Sequence, residues 1–117
     1  ITYFGTWIPE SQGNPYGGSV QKTTTSNNYA EFTFSGTYIR FVSKKGPQAG
    51  ISAIYIDGNP KPAATFDAYA ASATYQVTAY EYDKLSPGTH TIKVINTGTK
   101  NPLSTAKGMS VDYFEYG

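Results

Sequence analysis

Three stretches rich in turn residues hold, between them, large rings and polar side chains: Trp7 with Asn14 and Tyr16, Lys44 with Gln48, and Lys100 with Asn101. Rings supply flat apolar surface, while amide and ammonium groups supply directional hydrogen bonds. Together they suit a polyhydroxylated ligand whose C–H faces stack while its hydroxyls are bonded one by one. Trp7 and Tyr16 are therefore the first candidate platforms, with Asn14, Lys44 and Asn101 as polar partners. Trp7 carries a second reading, because the largest apolar side chain of the chain, next to Ile8, also suits a plug at one end of the core. A second candidate face holds Tyr38 and Arg40, joined by Tyr80, pointing outward from strands where a long sugar chain would lie. Its bland counterpart is an ordinary solvent face with cross-strand aromatic pairs, in which Arg40 pairs with Glu31 or Glu81.

Catalytic chemistry is harder to assemble. The single histidine, His90, sits in Gly88-Thr89-His90-Thr91-Ile92 at the start of a regular strand, which reads as structural. The carboxylates, four Asp and four Glu, include no two whose spacing nominates an acid and base pair, and Asp57 is taken by a turn. With no cysteine there is no thiolate nucleophile, disulfide or sulfur-ligated zinc. Gly13-Asn14-Pro15-Tyr16-Gly17-Gly18-Ser19 lacks the lysine and helix that a phosphate loop requires. The reading is of a chain that is not an enzyme. A structural calcium is the one cofactor left open. Asp112, with Asp67 next, is its acidic candidate, against a purely hydrogen-bonded role for Asp112.

The elements that must position these residues are strands. No segment keeps a helical period, whereas short alternating stretches recur between turn signals. Tyr3 to Ile8 reads as a strand ended by Pro9, and Glu10 to Ser19 as a loop. In Tyr29 to Phe34 the rings of Phe32 and Phe34 share a face. In Thr37 to Ser43, Ile39 and Phe41 oppose Tyr38, Arg40 and Val42. Ile51 to Ile56 turns Ile54 and Ile56 inward and ends at Asp57-Gly58, a strong hairpin signal. Two prolines keep Asn59 to Thr65 out of any central strand. Tyr75 to Lys84, Thr89 to Asn96 and Met109 to Tyr116 complete the set, with Ser86-Pro87-Gly88 as a turn. In the last strand Met109 and Val111 have one parity and Phe114 and Tyr116 the other, which predicts a bulge near Asp112. About eight antiparallel strands with long loops predict an all-β jelly-roll sandwich.

The chain of 117 residues is the size of one domain, and residues 1–117 are read as a single module. Nine basic and eight acidic residues form no block beyond Lys44-Lys45, unlike the concentrated positive stripe of a nucleic-acid binder. No apolar run approaches the roughly 20 residues of a membrane span. The start at Ile1 fits a module cut from a larger, processed protein.

Several landmarks stand in a familiar order: Trp7, Tyr16-Gly17-Gly18, Phe32-Thr33-Phe34-Ser35-Gly36-Thr37-Tyr38-Ile39, Ile54-Tyr55-Ile56-Asp57-Gly58, Leu85-Ser86-Pro87-Gly88-Thr89-His90-Thr91-Ile92 and Val111-Asp112-Tyr113-Phe114. In this order the chain resembles galactose-binding-like jelly rolls, among them carbohydrate-binding modules of secreted bacterial glycan-degrading enzymes. The resemblance implies sugar binding by loops at one end of the sandwich, an attached catalytic domain and an extracellular or cell-surface setting. Several relatives hold a structural calcium, but the acidic pair they carry near the N-terminus is missing here. The expected ligand is a polysaccharide or oligosaccharide. The alternative is a structural or adhesion domain that contacts protein, in which Trp7 and Tyr16 are buried or capped.

Overall fold

In a β-strand successive side chains alternate between faces, so period-two apolar residues need a second layer to cover them. The computed structural model, which describes residues 1–10 and 20–117, meets that need with eleven strands among the described residues. In chain order they are β1 (Thr2–Phe4), β2 (Ile8–Glu10), β3 (Val20–Thr23), β4 (Tyr29–Ser35), β5 (Ile39–Lys45), β6 (Ile51–Ile56), β7 (Ala64–Asp67), β8 (Thr74–Tyr82), β9 (Thr89–Thr99), β10 (Met109–Val111) and β11 (Tyr113–Tyr116). One layer is a five-stranded sheet in the order β1-β4-β9-β6-β7. The other holds two three-stranded sheets, β10-β3-β2 and β11-β5-β8. All of the pairings within these sheets are antiparallel. The all-β sandwich of jelly-roll type is thus the observed architecture.

The core lies between the layers. Ala30 and Phe34 of β4, Ile54 of β6, and Ile92 and Val94 of β9 meet Ile39 and Phe41 of β5 and Met109 and Val111 of β10. Phe114 joins the layers, with its ring 5.2 Å from Phe32 and 5.3 Å from Phe41. Such pairs add about 0.5–1.5 kcal/mol each beyond their buried area. The parity conflict in the last strand is resolved at Asp112. There β10, paired with β3, gives way to β11, paired with β5, and Asp112 N–H donates to Val42 O at 3.0 Å. The bulge lets Met109, Val111 and Phe114 all face the core and joins the two smaller sheets.

Local breaks account for most of the difference between eleven strands and the expected eight. Gly5, at φ 91°, splits the N-terminal stretch into β1 and β2, which join different layers. Pro9 therefore sits inside β2 and does not end a strand. As β2 is an edge strand, the missing N–H costs no ladder bond on the open side. β8 slips register twice against β5. The first slip turns Tyr80 toward Phe41 and the core, correcting its expected outward position. Val42 is enclosed as well, although it sits on the side of β5 opposite Phe41.

Candidate functional site

At one end of the sandwich the β5–β6 connection folds into a wall. Gly46 N–H donates to Ala68 O at 2.9 Å, Gly50 N–H to Gly108 O at 2.7 Å, and Gly108 N–H to Gln48 O at 3.0 Å. The buried Ser104 hydroxyl donates to Ala49 O at 2.7 Å, and Thr105 N–H donates to Pro47 O at 2.9 Å. Residues 47–50 are therefore tied to residues 104–108 and Gly46 to Ala68, and the wall is preformed. Gly50 has no alternative, because a Cβ there would meet Thr99 O at 2.8 Å and Lys107 Cα at 2.9 Å, both backbone atoms that cannot give way.

These ties enclose a cavity of about 280 Å3 whose lining includes Lys22, Lys44, Lys45, Gln48 and Ser110. The volume is just below the roughly 300–1,000 Å3 of small-molecule pockets. Behind Lys44 lies the second register slip of β8, where Tyr75 and Gln76 together oppose Lys44 and Gln76 takes φ 53°. Non-glycine residues seldom adopt this conformation, and bulges of this kind often re-aim a side chain beside a site. Here Lys44 Nζ stands 5.4 Å from the Tyr75 ring centroid, and Lys45 Nζ stands 5.5 Å from that of Phe66. The rings hold both ammonium groups by cation–π attraction.

Lys44 and Gln48 thus come together, as their spacing suggested. Asn14 and Tyr16 lie outside the described residues. Asn101 is committed to its own loop: its Nδ2 donates to Asp67 Oδ2 at 3.0 Å and its Oδ1 accepts Leu103 N–H at 3.0 Å. Trp7 is half-buried, packs on the core and against Tyr3 at 5.1 Å, and donates from Nε1 to Phe4 O at 3.0 Å. Asp67 accepts Tyr69 N–H as well as the Asn101 amide. Among the described residues, no three His, Cys, Asp or Glu side chains, Asp112 included, converge as a metal-binding group.

The second candidate face is already bonded within itself. The Tyr38 hydroxyl donates to Glu81 at 2.6 Å, and that bond is the main reason its pKa is pushed up to about 12. Arg40 pairs with Glu115 at 3.4 Å, rather than with Glu31 or Glu81, and also donates to Thr78 and Tyr113. Sequence reasoning gave no role to Lys22, Ser104, Ser110 or Tyr75. Each enters the site through partners remote in the chain, and none carries a local motif.

His90 shows why its sequence neighbourhood looked structural. Nε2 lies 2.6 Å from Ser86 O and Nδ1 lies 2.6 Å from Asp57 Oδ2. A carbonyl and a carboxylate both accept, so the ring satisfies both as an imidazolium. The Asp57–His90 pair has two of the three parts of a hydrolytic triad, but Nε2 is held by a carbonyl where a triad needs a nucleophile's hydroxyl. The bond to Ser86 O and then the bond to Asp57 raise the His90 pKa above its ordinary 6.5. Burial works to raise the Asp57 pKa, but the bonds from His90 and from Thr91 N–H outweigh it and hold the carboxyl below 3.8. The histidine contribution is complete below pH 6.5 and is lost as pH climbs through the raised value. The aspartate contribution is present above 3.8 and is lost as pH falls through the lowered one. Unfolding free energies of wild type and His90→Gln between pH 5 and 9 should therefore converge on the alkaline side. A constant difference over that range would show that the imidazolium is not what holds the turn.

No family model matches the chain. Two curated proteins of Flavonifractor plautii are similar to it over 116 residues: an A type blood N-acetyl-α-D-galactosamine deacetylase at 30% identity and an A type blood α-D-galactosamine galactosaminidase at 29%. Each match covers 99% of this chain but only 14% and 10% of those proteins, respectively. Among solved structures, the CBM36-1 domain of a multidomain xylanase from the hindgut metagenome of Trinervitermes trinervoides superposes with a TM-score of 0.63 at 18% identity, covering 97% of this chain and 87% of that one. A family 35 carbohydrate binding module from Clostridium thermocellum superposes with a TM-score of 0.55 at 18% identity, covering 97% and 89%. These superpositions bear on the fold.

Proposed function

We propose that this all-β domain, which resembles the jelly-roll carbohydrate-binding modules of bacterial glycan-degrading enzymes, is a non-catalytic glycan-binding accessory domain. The carrying observation is the preformed cavity at the loop end, with Lys44, Gln48 and Ser110 as hydrogen-bonding groups. A rigid wall spares the ligand the cost of ordering a loop. The catalytic partner is a separate domain of a larger extracellular enzyme, a reading supported by the small share of the Flavonifractor proteins that the match spans. No helix among the described residues is long and apolar enough to cross a membrane. The galactosamine chemistry of those two proteins makes A-type glycans the first ligands to try.

Gly46 offers a clean test. It is buried and lines the cavity, and a Cβ added to it meets nothing within 4 Å, so Gly46→Leu fills the space with little strain. An array of A-type blood-group, xylan and cellulose oligosaccharides, followed by titration of each hit, should show saturable binding by wild type. Gly46→Leu, with its melting curve intact, should weaken that binding at least about tenfold, a loss of about 1.4 kcal/mol. A folded wild-type domain that binds none of these glycans would overturn the proposal. Trp7 packed on the core and the exposed Ile1, Phe4 and Ile8 favour a second reading, a structural domain resting on protein, which that outcome would promote.

A further inference from the structure

The outer face of the five-stranded sheet holds a second hollow, of about 270 Å3, built from three segments distant in the chain. Glu31 of β4, Lys93 of β9 and Tyr55 of β6 lie side by side in one cross-strand row, and Thr91, Asn59 and Pro60 close one end. The turn that carries Asn59 is fixed. Asp57 (φ 53°) and Gly58 (φ 69°) occupy its centre, Asn59 N–H donates to Ile56 O at 3.1 Å, and Asp57 is clamped by His90 and by Thr91 N–H. Two positive φ values in succession make this a type I′ turn, the geometry that Asp-Gly favours.

Polar groups here are not spent on one another as they are across the Tyr38–Arg40 face. Lys93 stands directly opposite Glu31, yet its Nζ lies between two rings, 5.2 Å from the Tyr29 centroid and 5.1 Å from that of Tyr55. The Glu31 side chain makes no hydrogen bond or ion pair with any described residue, so its carboxylate is an acceptor open to a ligand. Asn59 accepts Lys61 N–H through Oδ1, which leaves its NH2 group as a donor. One hollow thus combines an open carboxylate, an amide donor, an ammonium and the flat surfaces of Tyr55 and Pro60.

We propose that this hollow is a second saccharide site, for a neutral sugar chain, distinct from the cavity at the loop end. The charge of the lining suits a neutral ligand: its one carboxylate and one ammonium cancel, so no net charge draws an ion of either sign into it. A neutral polyol instead gives hydroxyl donors to Glu31 and acceptors to Asn59 and Lys93. The inference rests on the reading that the domain binds glycan, and two sites on one domain would tether it by effective concentration.

The test uses the whole chain with Gly46→Leu, which closes the first cavity, and ¹⁵N-labelled protein titrated with cellohexaose, xylohexaose and an A-type blood-group tetrasaccharide. Saturable shifts of the Glu31, Tyr55, Asn59 and Lys93 amides are expected. Adding Glu31→Ala should weaken them at least about tenfold, since a hydrogen bond to a charged group is being removed. Ser35→Ala, on the same outer face but bonded to Thr89 outside the hollow, controls for general loss of fold. Wild-type binding confined to the loop-end residues, with the sheet amides unmoved at saturation, would overturn the second site and leave the first standing. Wild type binding none of the three would overturn both.

Discussion

Replacing Phe41 by alanine should lower the unfolding free energy by about 3–5 kcal/mol, the usual cost of emptying a buried phenylalanine site. Phe41 is the largest fully buried side chain, at 0% exposure, in the middle of β5, the central strand of its sheet. Phe114 stacks on it at 5.3 Å and Tyr80 lies opposite it in register. Both neighbours are ring systems on bulged or broken strands, which cannot shift to fill the space without undoing the bulges. Collapse is therefore limited and the cavity term is retained. Domains of this size have a total stability of about 5–15 kcal/mol, so the variant should be marginal. Urea titration would read the loss as a fall in midpoint at unchanged slope. A change below about 1 kcal/mol would mean that the layers are not held together at Phe41.

The second large effect is expected at Asn96, a fully buried amide whose four bonds join three segments. Its main chain donates to Asn28 O at 2.9 Å and accepts Asn27 N–H at 2.8 Å, while Nδ2 donates to Lys107 O at 2.9 Å and Oδ1 accepts Gly98 N–H at 3.0 Å. Asn96→Ala leaves the Lys107 carbonyl and the Gly98 N–H unanswered, at about 1–3 kcal/mol for each group. Asn96→Asp gives a sharper result. A neutral carboxylic acid can still donate to Lys107 O, but an ionised one faces that carbonyl with a buried negative charge. Burial and the lost donor both disfavour the charged form, so the folded pKa of the new carboxyl rises above its unfolded value of about 3.9. The destabilisation should accordingly be small at pH 3.5 and grow as pH rises through neutrality. Loss that is independent of pH would show that the Nδ2 bond to Lys107 carries little. Lys107 precedes Gly108, which braces Gln48, so the same variant at pH 7 should loosen the cavity wall.

Asn96 also illustrates where sequence reading stops. Alternation predicted Ile92 and Val94 inward and Lys93 outward, and the same parity puts Asn96 inward, but nothing local says that an amide there will meet Lys107 and Gly98. One of its partners, Lys107, is brought by a loop that returns from 11 residues downstream. Trp7 makes a related point. Its type suggested a platform or a plug with equal force, and its packing on Tyr3 and the core is set by residues that no local pattern names. Tyr38 and Arg40 were correctly expected to face outward. Their bonds to Glu81 and Glu115 depend on which strands flank β5.

The features legible without coordinates are those set by local sterics and by side-chain alternation. They include the all-β class, the inward residues of β4, β6 and β9, the Asp57-Gly58 turn and the bulge at Asp112 forced by two opposed parities. Features that depend on register between distant strands were hidden. A cavity built from Lys22, residues 44–49, Ala73, Gly108 and Ser110, and a hollow built from Glu31, Tyr55, Asn59 and Lys93, exist only after long-range pairing has been chosen. That choice follows from the burial of the whole core. One residue's neighbours along the chain carry almost no information about its neighbours across a sheet.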